Sequence, residues 1–229
     1  MIEMIDVHKR FGRRKVLNGI SFTASKGEIT CLIGINGAGK STILKAIMGL
    51  TPVHKGAIRI GGQAVGSDLY KRAAFIPDHL TMPGAMRAWE ALRFMADFYP
   101  NWDAARAAEL MSFFKLNSED RIGNMSKGTA AKLNWVLGLA LDTDFVLMDE
   151  PFAGIDMFSR EAITEVFSSH LIEDRGVLLT THEISEMEHL LDKAVIMNNG
   201  AITREFHCDD LRREEGKSVI DVMREVYRA

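Results

Sequence analysis

The sequence predicts an α/β fold in which a mostly parallel sheet is accompanied by a separate helical lobe. Short apolar strands alternate with helical patterns, as in EITCLIG (28–34), FVLMDE (145–150) and GVLLTTH (176–182), and this alternation is typical of a parallel sheet. Aromatic residues are concentrated between Phe75 and Phe114, in a mostly helix-favouring segment that indicates the lobe. At 229 residues and 47% hydrophobic content, the chain is long enough for one large domain with such a lobe.

The elements that precede the first helix are strands. Residues 2–7 and 16–24 cluster apolar and β-branched side chains, and the apolar run 28–34 indicates a buried third strand. After a glycine-rich turn, residues 40–50 repeat apolar side chains at helical spacing and end near Gly49. Strand, turn and helix therefore follow one another directly.

Three later segments are also predicted from local pattern. GAIRIGG (56–62) lies between turns and indicates a short strand. AVIMNNGAIT (194–203) indicates a hairpin, because Asn199 and Gly200 readily adopt the positive φ angles of a tight turn. VIDVMREVYRA (219–229) indicates an amphipathic helix whose role is packing rather than chemistry.

Composition excludes several classes of protein. A net charge of −3 and a pI near 6.2 give no basic footprint of the kind that a dedicated nucleic-acid binder shows. Cys31 and Cys208 are too far apart for a metal pair and too few for a disulfide scaffold, so a reducing cytosol is the simplest setting. No apolar run approaches the roughly 20 residues that span a bilayer. Any membrane role therefore needs a partner.

The glycine-rich turn fits a phosphate-binding loop. GINGAGKS (34–41) matches G-x-x-x-x-G-K-[ST] in full, between a buried strand and a helix. Glycines let backbone N–H groups turn onto the phosphates, Lys40 neutralises the β- and γ-phosphates, and the Ser41 hydroxyl can hold Mg²⁺. The alternative, a glycine-rich turn without a ligand, is disfavoured by this context. We expect the nucleotide to be bound by Asn36, Gly37, Ala38, Gly39, Lys40, Ser41 and Thr42.

A second acidic feature lies downstream of this loop. In FVLMDE, four apolar residues precede Asp149 and Glu150, which is the Walker B arrangement. Because side chains alternate along a strand, the two acids point in different directions. Asp149 can then serve Mg²⁺ while Glu150 faces the γ-phosphate and polarises the attacking water. The alternative is an exposed acidic strand end, which the phosphate loop makes less favoured.

With these motifs in order, the chain resembles the ATP-binding subunit of ABC (ATP-binding cassette) transporters over nearly its whole length. MSKGT (125–129) falls where that family has its LSGGQ signature, at a helix start before Walker B. Ser126 and Gly128 match, whereas Met125, Lys127 and Thr129 do not. The resemblance implies that Ser126 and Gly128 contact ATP held by the opposite subunit of a head-to-tail dimer.

The resemblance also implies the domain organisation. It predicts a phosphate-loop NTPase core with a mostly parallel sheet, an N-terminal antiparallel β subdomain and a helical lobe specific to the family. The whole chain, 1–229, would be one ATP-binding domain, with core and β subdomain at 1–78 and 143–229 and the lobe at 79–142.

Three further positions agree with the family. PFAGID (151–156) resembles the D-loop, with Asp156 matching and Ala153 standing where Ser is common. His182, at the end of the next strand, matches the switch histidine that contacts the γ-phosphate; the alternative is a surface histidine. Phe11 matches the aromatic residue that stacks on adenine, although a β-rich N-terminus also places aromatics in its core.

One departure bears on the subfamily. Where the family commonly has Gln after the strand AAFIP, this chain has Asp78. A carboxylate can ligate Mg²⁺, and the alternative of equal weight is a helix N-cap or turn residue. The same departure, together with a Ser-x-Gly signature, is similar to cassettes of bacterial drug, bacteriocin and peptide exporters.

Function follows from these expectations. We expect ATP and Mg²⁺ as cofactors, with Glu150, His182 and Lys40 as catalytic residues and Ser41, Asp149 and Asp78 as metal ligands. The expected partners are an integral-membrane transporter subunit and a second cassette, identical or different, and no nucleic acid. The expected location is the cytoplasmic side of a bacterial cell membrane, where ATP hydrolysis powers export of a peptide, toxin or drug.

Competing classes remain open. A non-transport cassette that acts on ribosomes or in DNA repair usually has two cassettes or a long coiled-coil insertion, and this chain has neither. A small-molecule kinase with a phosphate loop would need neither MSKGT nor His182. A cassette that binds ATP without hydrolysing it is disfavoured by the presence of both Glu150 and His182.

The sequence does not assign a single role to the apolar stripe of the lobe or to Lys127 of the signature. Apolar residues recur at helical spacing before residue 100 and are interpreted mainly as lobe core, with a few exposed for docking; they are Met86, Trp89, Leu92, Met95 and Phe98 or Tyr99. Lys127 adds bulk and positive charge beside the partner's phosphates, and we expect closure to be tolerated at a different rate.

Overall fold

The computed structural model of the chain divides into two compact units, Met1–Leu69 with Gly176–Ala229 and Tyr70–Arg175. The residues that it describes are 1–153, 157–167, 169, 172, 174–182, 184 and 187–228. Both units combine strands with helices, and the α/β fold class that the sequence predicts is confirmed.

The first unit opens with an antiparallel sheet. Its elements in chain order are β1 (Ile2–Phe11), β2 (Arg14–Ala24), β3 (Ile29–Gly34), α1 (Lys40–Ile47), β4 (Lys55–Ile60) and β5 (Gln63–Ala64). Four of these strands pair antiparallel in the order β2-β1-β4-β5. This arrangement confirms the N-terminal antiparallel β subdomain.

A bulge shapes strand β1. Asp6 has a φ of 47°, and the pairing of β1 with both neighbours shifts register there. On the facing strand, a Cβ on Gly56 would lie 2.5 Å from the Ile5 carbonyl oxygen, far inside contact distance. Glycine is therefore required at residue 56, because only a residue without a side chain lets the bulged strand approach.

The second unit contains the lobe and one parallel strand pair. Its elements are β6 (Ala73–Ile76), α2 (Ala88–Phe98), α3 (Ala104–Phe113), α4 (Lys127–Leu139), β7 (Phe145–Asp149) and α5 (Met157–Phe167). Strands β6 and β7 are parallel, with Ile76 opposite Met148. Every residue of β7 is buried, as expected for a strand covered on both faces.

Helix α4 packs closely on β6. A Cβ on Gly138 would overlap the Ile76 side chain, so the helix approaches the strand where it has no side chain. The Asn134 Nδ2 donates to the Pro77 carbonyl oxygen at 2.8 Å. Trp135, which is fully buried, contacts the rings of Phe152 and Phe167 edge-on. These contacts fix α4 beside the loop that follows β6.

The predicted apolar stripe of α2 divides between core and surface. Met95 is buried, and Met86, Leu92 and Tyr99 are half-buried. Trp89 is 39% exposed and Phe98 is 67% exposed, so a few members of the stripe lie at the surface, as the sequence predicts. The buried residues of α2 are Ala88, Ala91 and Met95. The small alanine side chains let the helix approach its neighbours, and the bulky rings remain at the surface.

The rest of the first unit completes its second sheet. Its elements are β8 (Gly176–Thr181), β9 (Lys193–Asn198), β10 (Ala201–His207), α6 (Cys208–Glu215) and α7 (Val219–Arg228). Strand β3 lies between β8 and β9 and is parallel to both, while β10 pairs antiparallel with β9. The predicted hairpin is confirmed, with φ of 48° at Asn199 and 75° at Gly200. The predicted C-terminal helix is α7, whose Tyr227 hydroxyl donates to the Met197 carbonyl oxygen at 2.6 Å.

Cys31 and Cys208 are both buried, and neither forms a disulfide. Burial raises the pKa of Cys208 to about 12, so its thiol stays protonated and unreactive. Among the described residues, every helix is too short or too polar to cross a bilayer.

Candidate nucleotide-binding and hydrolysis site

The phosphate loop joins β3 to α1 in a form that only glycine allows. Gly37 has a φ of 83° and Gly39 a φ of 108°, both in the left-handed region. A Cβ on Gly39 would lie 2.9 Å from the Leu17 Cδ2 and 3.0 Å from the Val16 carbonyl oxygen. The loop is therefore held tightly against β2, and its curvature leaves a cradle of backbone groups.

Lys40 lies inside this cradle. The side chain is 5% exposed, and its Nζ donates to the Gly34 carbonyl oxygen at 2.7 Å, across the loop. The first turn of α1 contains no acidic residue, so the partial positive charge of the helix N-terminus is not offset there. Ser41 and Thr42 are half-buried in this turn, Ala38 is buried, and Asn36 is exposed. An anion such as a phosphate chain fits this set of donors.

His182 lies at the same edge of the sheet as the loop. Strands β3 and β8 are parallel with Ile33 opposite Thr181. The loop that begins at Gly34 and the exposed His182 therefore leave the sheet at the same level. Of the two readings of His182, this position favours a role beside the phosphate loop.

Phe11 ends β1 and is 54% exposed, so it is not a core residue. The Lys9 Nζ lies 4.8 Å from the centre of its ring and donates to the Pro52 carbonyl oxygen at 2.6 Å. A buried ammonium thus holds the ring by a cation–π contact. Ring surface remains exposed for a stacking ligand.

In the second unit, the two Walker B acids differ sharply in environment. Asp149 ends β7 and is 3% exposed. Glu150 is half-buried with a φ of 47°, and its carbonyl oxygen accepts from the Ala153 N–H at 3.0 Å. A glutamate in the left-handed region costs roughly 1–3 kcal/mol. The turn at Glu150 breaks the strand pattern immediately after the buried aspartate.

Asp78 and Glu150 line one cavity of about 390 Å³. Because Ile76 of β6 lies opposite Met148 of β7, the two acids follow their strands at the same level. Asp78 Oδ1 lies 2.7 Å from His79 Nδ1, and the next helix, α2, begins at Ala88. Asp78 is therefore not a helix N-cap.

Ser126 is the N-cap of α4. Its Oγ accepts from the Thr129 N–H at 3.1 Å and lies 2.8 Å from the Thr129 Oγ1. Gly128 is buried and Lys127 is exposed, and Lys127 lines the same cavity as Glu150. Sequence reasoning did not single out Thr129 as the partner of this cap, although Ser at a helix start is a common N-cap residue.

The structure thus gathers the predicted residues in two groups. In the first unit, the phosphate loop and His182 share a sheet edge. In the second, Asp78, Lys127 and Glu150 line one cavity. Asp156, the predicted D-loop aspartate, lies outside the described residues.

The donor sets fit the expected ligands. The phosphate loop, with Lys40 across it and the N-terminus of α1 behind it, suits phosphate. The hydroxyl of Ser41 and the carboxylates of Asp149 and Asp78 are oxygen donors of the type that Mg²⁺ prefers. Among the described residues no three His, Cys, Asp or Glu side chains form a metal cluster, so Mg²⁺ would take other ligands from phosphate and water.

A glycine loop between a buried strand and a helix, with a lysine across it, defines a phosphate-loop nucleotide-binding protein. Comparison with known proteins is more specific, because residues 17–153 match the model of the ABC transporter family. The chain belongs to this family as an ATP-binding subunit. The ATP-binding cassettes of this family are ATPases.

The names of relatives by sequence state resistance, export or import. The linearmycin resistance ATP-binding protein LnrL of Bacillus subtilis is 32% identical over 87% of this chain and 67% of its own length. The Nod factor export ATP-binding protein I of Burkholderia lata is 35% identical over 87% and 68%. The aliphatic sulfonates import ATP-binding protein SsuB of Corynebacterium glutamicum is 30% identical over 89% and 82%.

Solved structures share the fold. A structure described as the ATP-binding subunit of an ABC transporter has 30% identity and a TM-score of 0.89, over 99% of both chains. A dimeric structure of the cassette MJ0796, a bacterial ABC transporter cassette by its description, has 20% identity and a TM-score of 0.78, over 90% of this chain and 98% of that one.

Proposed function

We propose that this chain hydrolyses ATP, with Mg²⁺, to power export of a peptide, toxin or drug through a separate membrane subunit. ATP binding is supported chiefly by the phosphate loop. The buried Lys40 side chain crosses this loop, and its Nζ lies 2.7 Å from the Gly34 carbonyl oxygen. Export is supported by the name of the Nod factor export protein and by Asp78, while the name of SsuB supports the opposite direction.

The chemistry assigns one task to each side chain. Lys40 and the N-terminus of α1 bind the β- and γ-phosphates and offset their charge. The Glu150 carboxylate accepts a proton from the attacking water, and His182 donates a hydrogen bond to the γ-phosphate. Mg²⁺, held by Ser41, Asp149 and Asp78, would neutralise the charge on the phosphate oxygens when bound.

Phe11 stacks on adenine in this proposal. Its exposed ring, held by Lys9, supports that role.

The proposal requires two cassettes, identical or different, in a head-to-tail dimer. Ser126 and Gly128 of one chain would bind the ATP held by the other, because they lie at the N-terminus of α4 and helix N-termini attract anions. The dimer would bind its membrane subunit on the cytoplasmic side of a bacterial membrane. The lobe, 79–142, and the core, 1–78 with 143–229, are the proposed subdomains.

The decisive experiment is purification of the complex from membranes of the source cell with a tag on this chain. We expect one integral-membrane subunit to accompany it and the complex to hydrolyse ATP in proteoliposomes. The complex with Lys40→Ala serves as the matched control. A ribosomal or nucleic-acid partner in place of a membrane subunit would contradict the proposal and favour a non-transport ATPase.

Direction is tested in the same proteoliposomes with ATP added outside, so that only outward-facing cassettes work. Stimulation of ATP hydrolysis by amphipathic peptides or drugs, with their accumulation in the lumen, is the expected result for an exporter. ATP-dependent loss of a preloaded compound from the lumen would identify an importer.

A further inference from the structure

Arg14 lies beside the phosphate loop. It opens β2 directly opposite Phe11 in the register of β1 and β2. A Cβ built on Gly37 would lie 3.6 Å from the Arg14 Nη2, which is van der Waals distance. The guanidinium is thus adjacent to the middle of the loop, and its backbone neighbour across the sheet is the ring proposed to stack on adenine.

The two lysines nearby donate hydrogen bonds to backbone carbonyl oxygens of the protein. The Lys40 Nζ donates to the Gly34 carbonyl oxygen, and the Lys9 Nζ donates to the Pro52 carbonyl oxygen. Among the residues that the structure describes, the Arg14 side chain has no hydrogen-bond or ion-pair partner. An exposed arginine is commonly just solvated, so the argument depends on its position over the loop rather than on exposure alone.

We propose that Arg14 is a nucleotide-binding residue that contacts the phosphate chain of ATP. The inference rests on the proposed role of the loop as the ATP site. A guanidinium presents several N–H groups in a planar fork that suits phosphate oxygens, and its contact with phosphate is charge-assisted. Arg14 therefore supplies a second cation to the loop.

The test measures binding of ATP, ADP, AMP and adenosine by the full chain with Arg14→Ala. We expect the Kd for ATP and ADP to rise about tenfold, because a charge-assisted hydrogen bond to phosphate is lost. Adenosine, which has no phosphate, should bind within about twofold of the wild-type value. Arg14→Lys should recover part of the affinity, because it restores the charge without the fork.

Arg13→Ala is the matched control. Arg13 is the adjacent exposed arginine, so its removal changes the net charge equally. We expect its Kd values to equal those of the wild type. The melting temperature of each nucleotide-free variant should stay within about 2 °C of the wild type, because surface substitutions change stability little.

Three outcomes would overturn the assignment: Arg14→Ala binding ATP as the wild type does, Arg13→Ala losing as much affinity, or adenosine binding falling as much as ATP binding. Failure of the proposed function gives a different result. In that case the wild-type chain would not bind ATP at all, and both proposals would be wrong.

Salt dependence gives a second readout. Between 50 and 300 mM salt, wild-type ATP affinity should fall more steeply than that of Arg14→Ala, because screening weakens exposed charge contacts. Equal slopes would count against a direct contact with phosphate.

Discussion

Two helix N-termini in this chain are proposed to bind phosphate, and they are capped in opposite ways. Helix α1 begins after Gly39, which has no side chain to cap it. Helix α4 begins after Ser126, whose Oγ already accepts from the Thr129 N–H. The first has no side-chain cap on its backbone donors, whereas the Thr129 donor of the second is already satisfied within its own chain.

The difference indicates how the two ends act in the proposed cycle. An uncapped helix beside a lysine can bind ATP in a single chain. A capped helix is stable before any ligand arrives, and the Ser126 hydroxyl can donate to a phosphate while still accepting from Thr129. Binding by α4 can thus follow assembly of two cassettes, when its partner's nucleotide comes within reach.

The largest expected effect comes from Glu150, which belongs to neither helix end. Glu150→Gln removes the carboxylate that accepts the water proton, so we expect turnover to fall by roughly 10²- to 10⁴-fold. ATP affinity should be unchanged, and an ATP-bound dimer should accumulate on size exclusion. Turnover at the wild-type rate would sink the general-base assignment.

Lys40→Ala tests nucleotide binding at the N-terminus of α1. Loss of the charge-assisted contacts should weaken ATP binding by roughly 10- to 100-fold in the isolated chain. Fluorescence titration or calorimetry measures this effect. Tight nucleotide binding by this variant would contradict the role of the loop.

Ser126→Ala in the Glu150→Gln background tests α4. The substitution removes a helix cap, which costs about 0.5–2 kcal/mol of stability. We expect ATP affinity of the single chain to stay unchanged while the ATP-bound dimer dissociates about tenfold more readily.

Ser218→Ala is the matched control for that variant. The Ser218 Oγ accepts from the Asp221 N–H at 3.1 Å at the start of α7, so a cap is lost there as well. Stability should fall similarly in both variants, but dimerisation should fall only in Ser126→Ala. Equal loss of the dimer in Ser126→Ala and Ser218→Ala would show that Ser126 acts only as a helix cap.

Lys127→Gly should have the smallest effect. Lys127 is exposed and lines the cavity that contains Glu150, so removal of its charge should change turnover by about two- to threefold. Steady-state ATPase rates test this prediction. Dimerisation and turnover identical to those of the wild type would show that Lys127 is merely solvated.

Strand and loop positions were predictable because they depend on short-range patterns. The apolar runs that contain β3, β7 and β8 and the turn at Asn199 and Gly200 each carry their own signal. Lys40 and Asp149 were predictable for the same reason, since motif and flanking strand are contiguous.

Other features depend on contacts that no local pattern specifies. Periodicity shows that α2 has an apolar stripe, but the neighbours of the helix decide that Ala88 and Ala91 are buried and Trp89 is exposed. Arg14 meets Gly37 only because of the pairing of β1 with β2 and the packing of the loop on β2. The left-handed φ of Glu150 likewise arises from its turn and not from its residue type.

The close packing of α4 on β6 connects the segment after β6 to the N-terminus of the helix. The Asn134 side chain is bonded to the Pro77 carbonyl, one residue before Asp78, and Gly138 allows no gap against Ile76. Ser126 lies eight residues away on the same helix, a rise of about 12 Å. A pull on the Asp78 segment must either break this attachment or displace the end of the helix that carries Ser126.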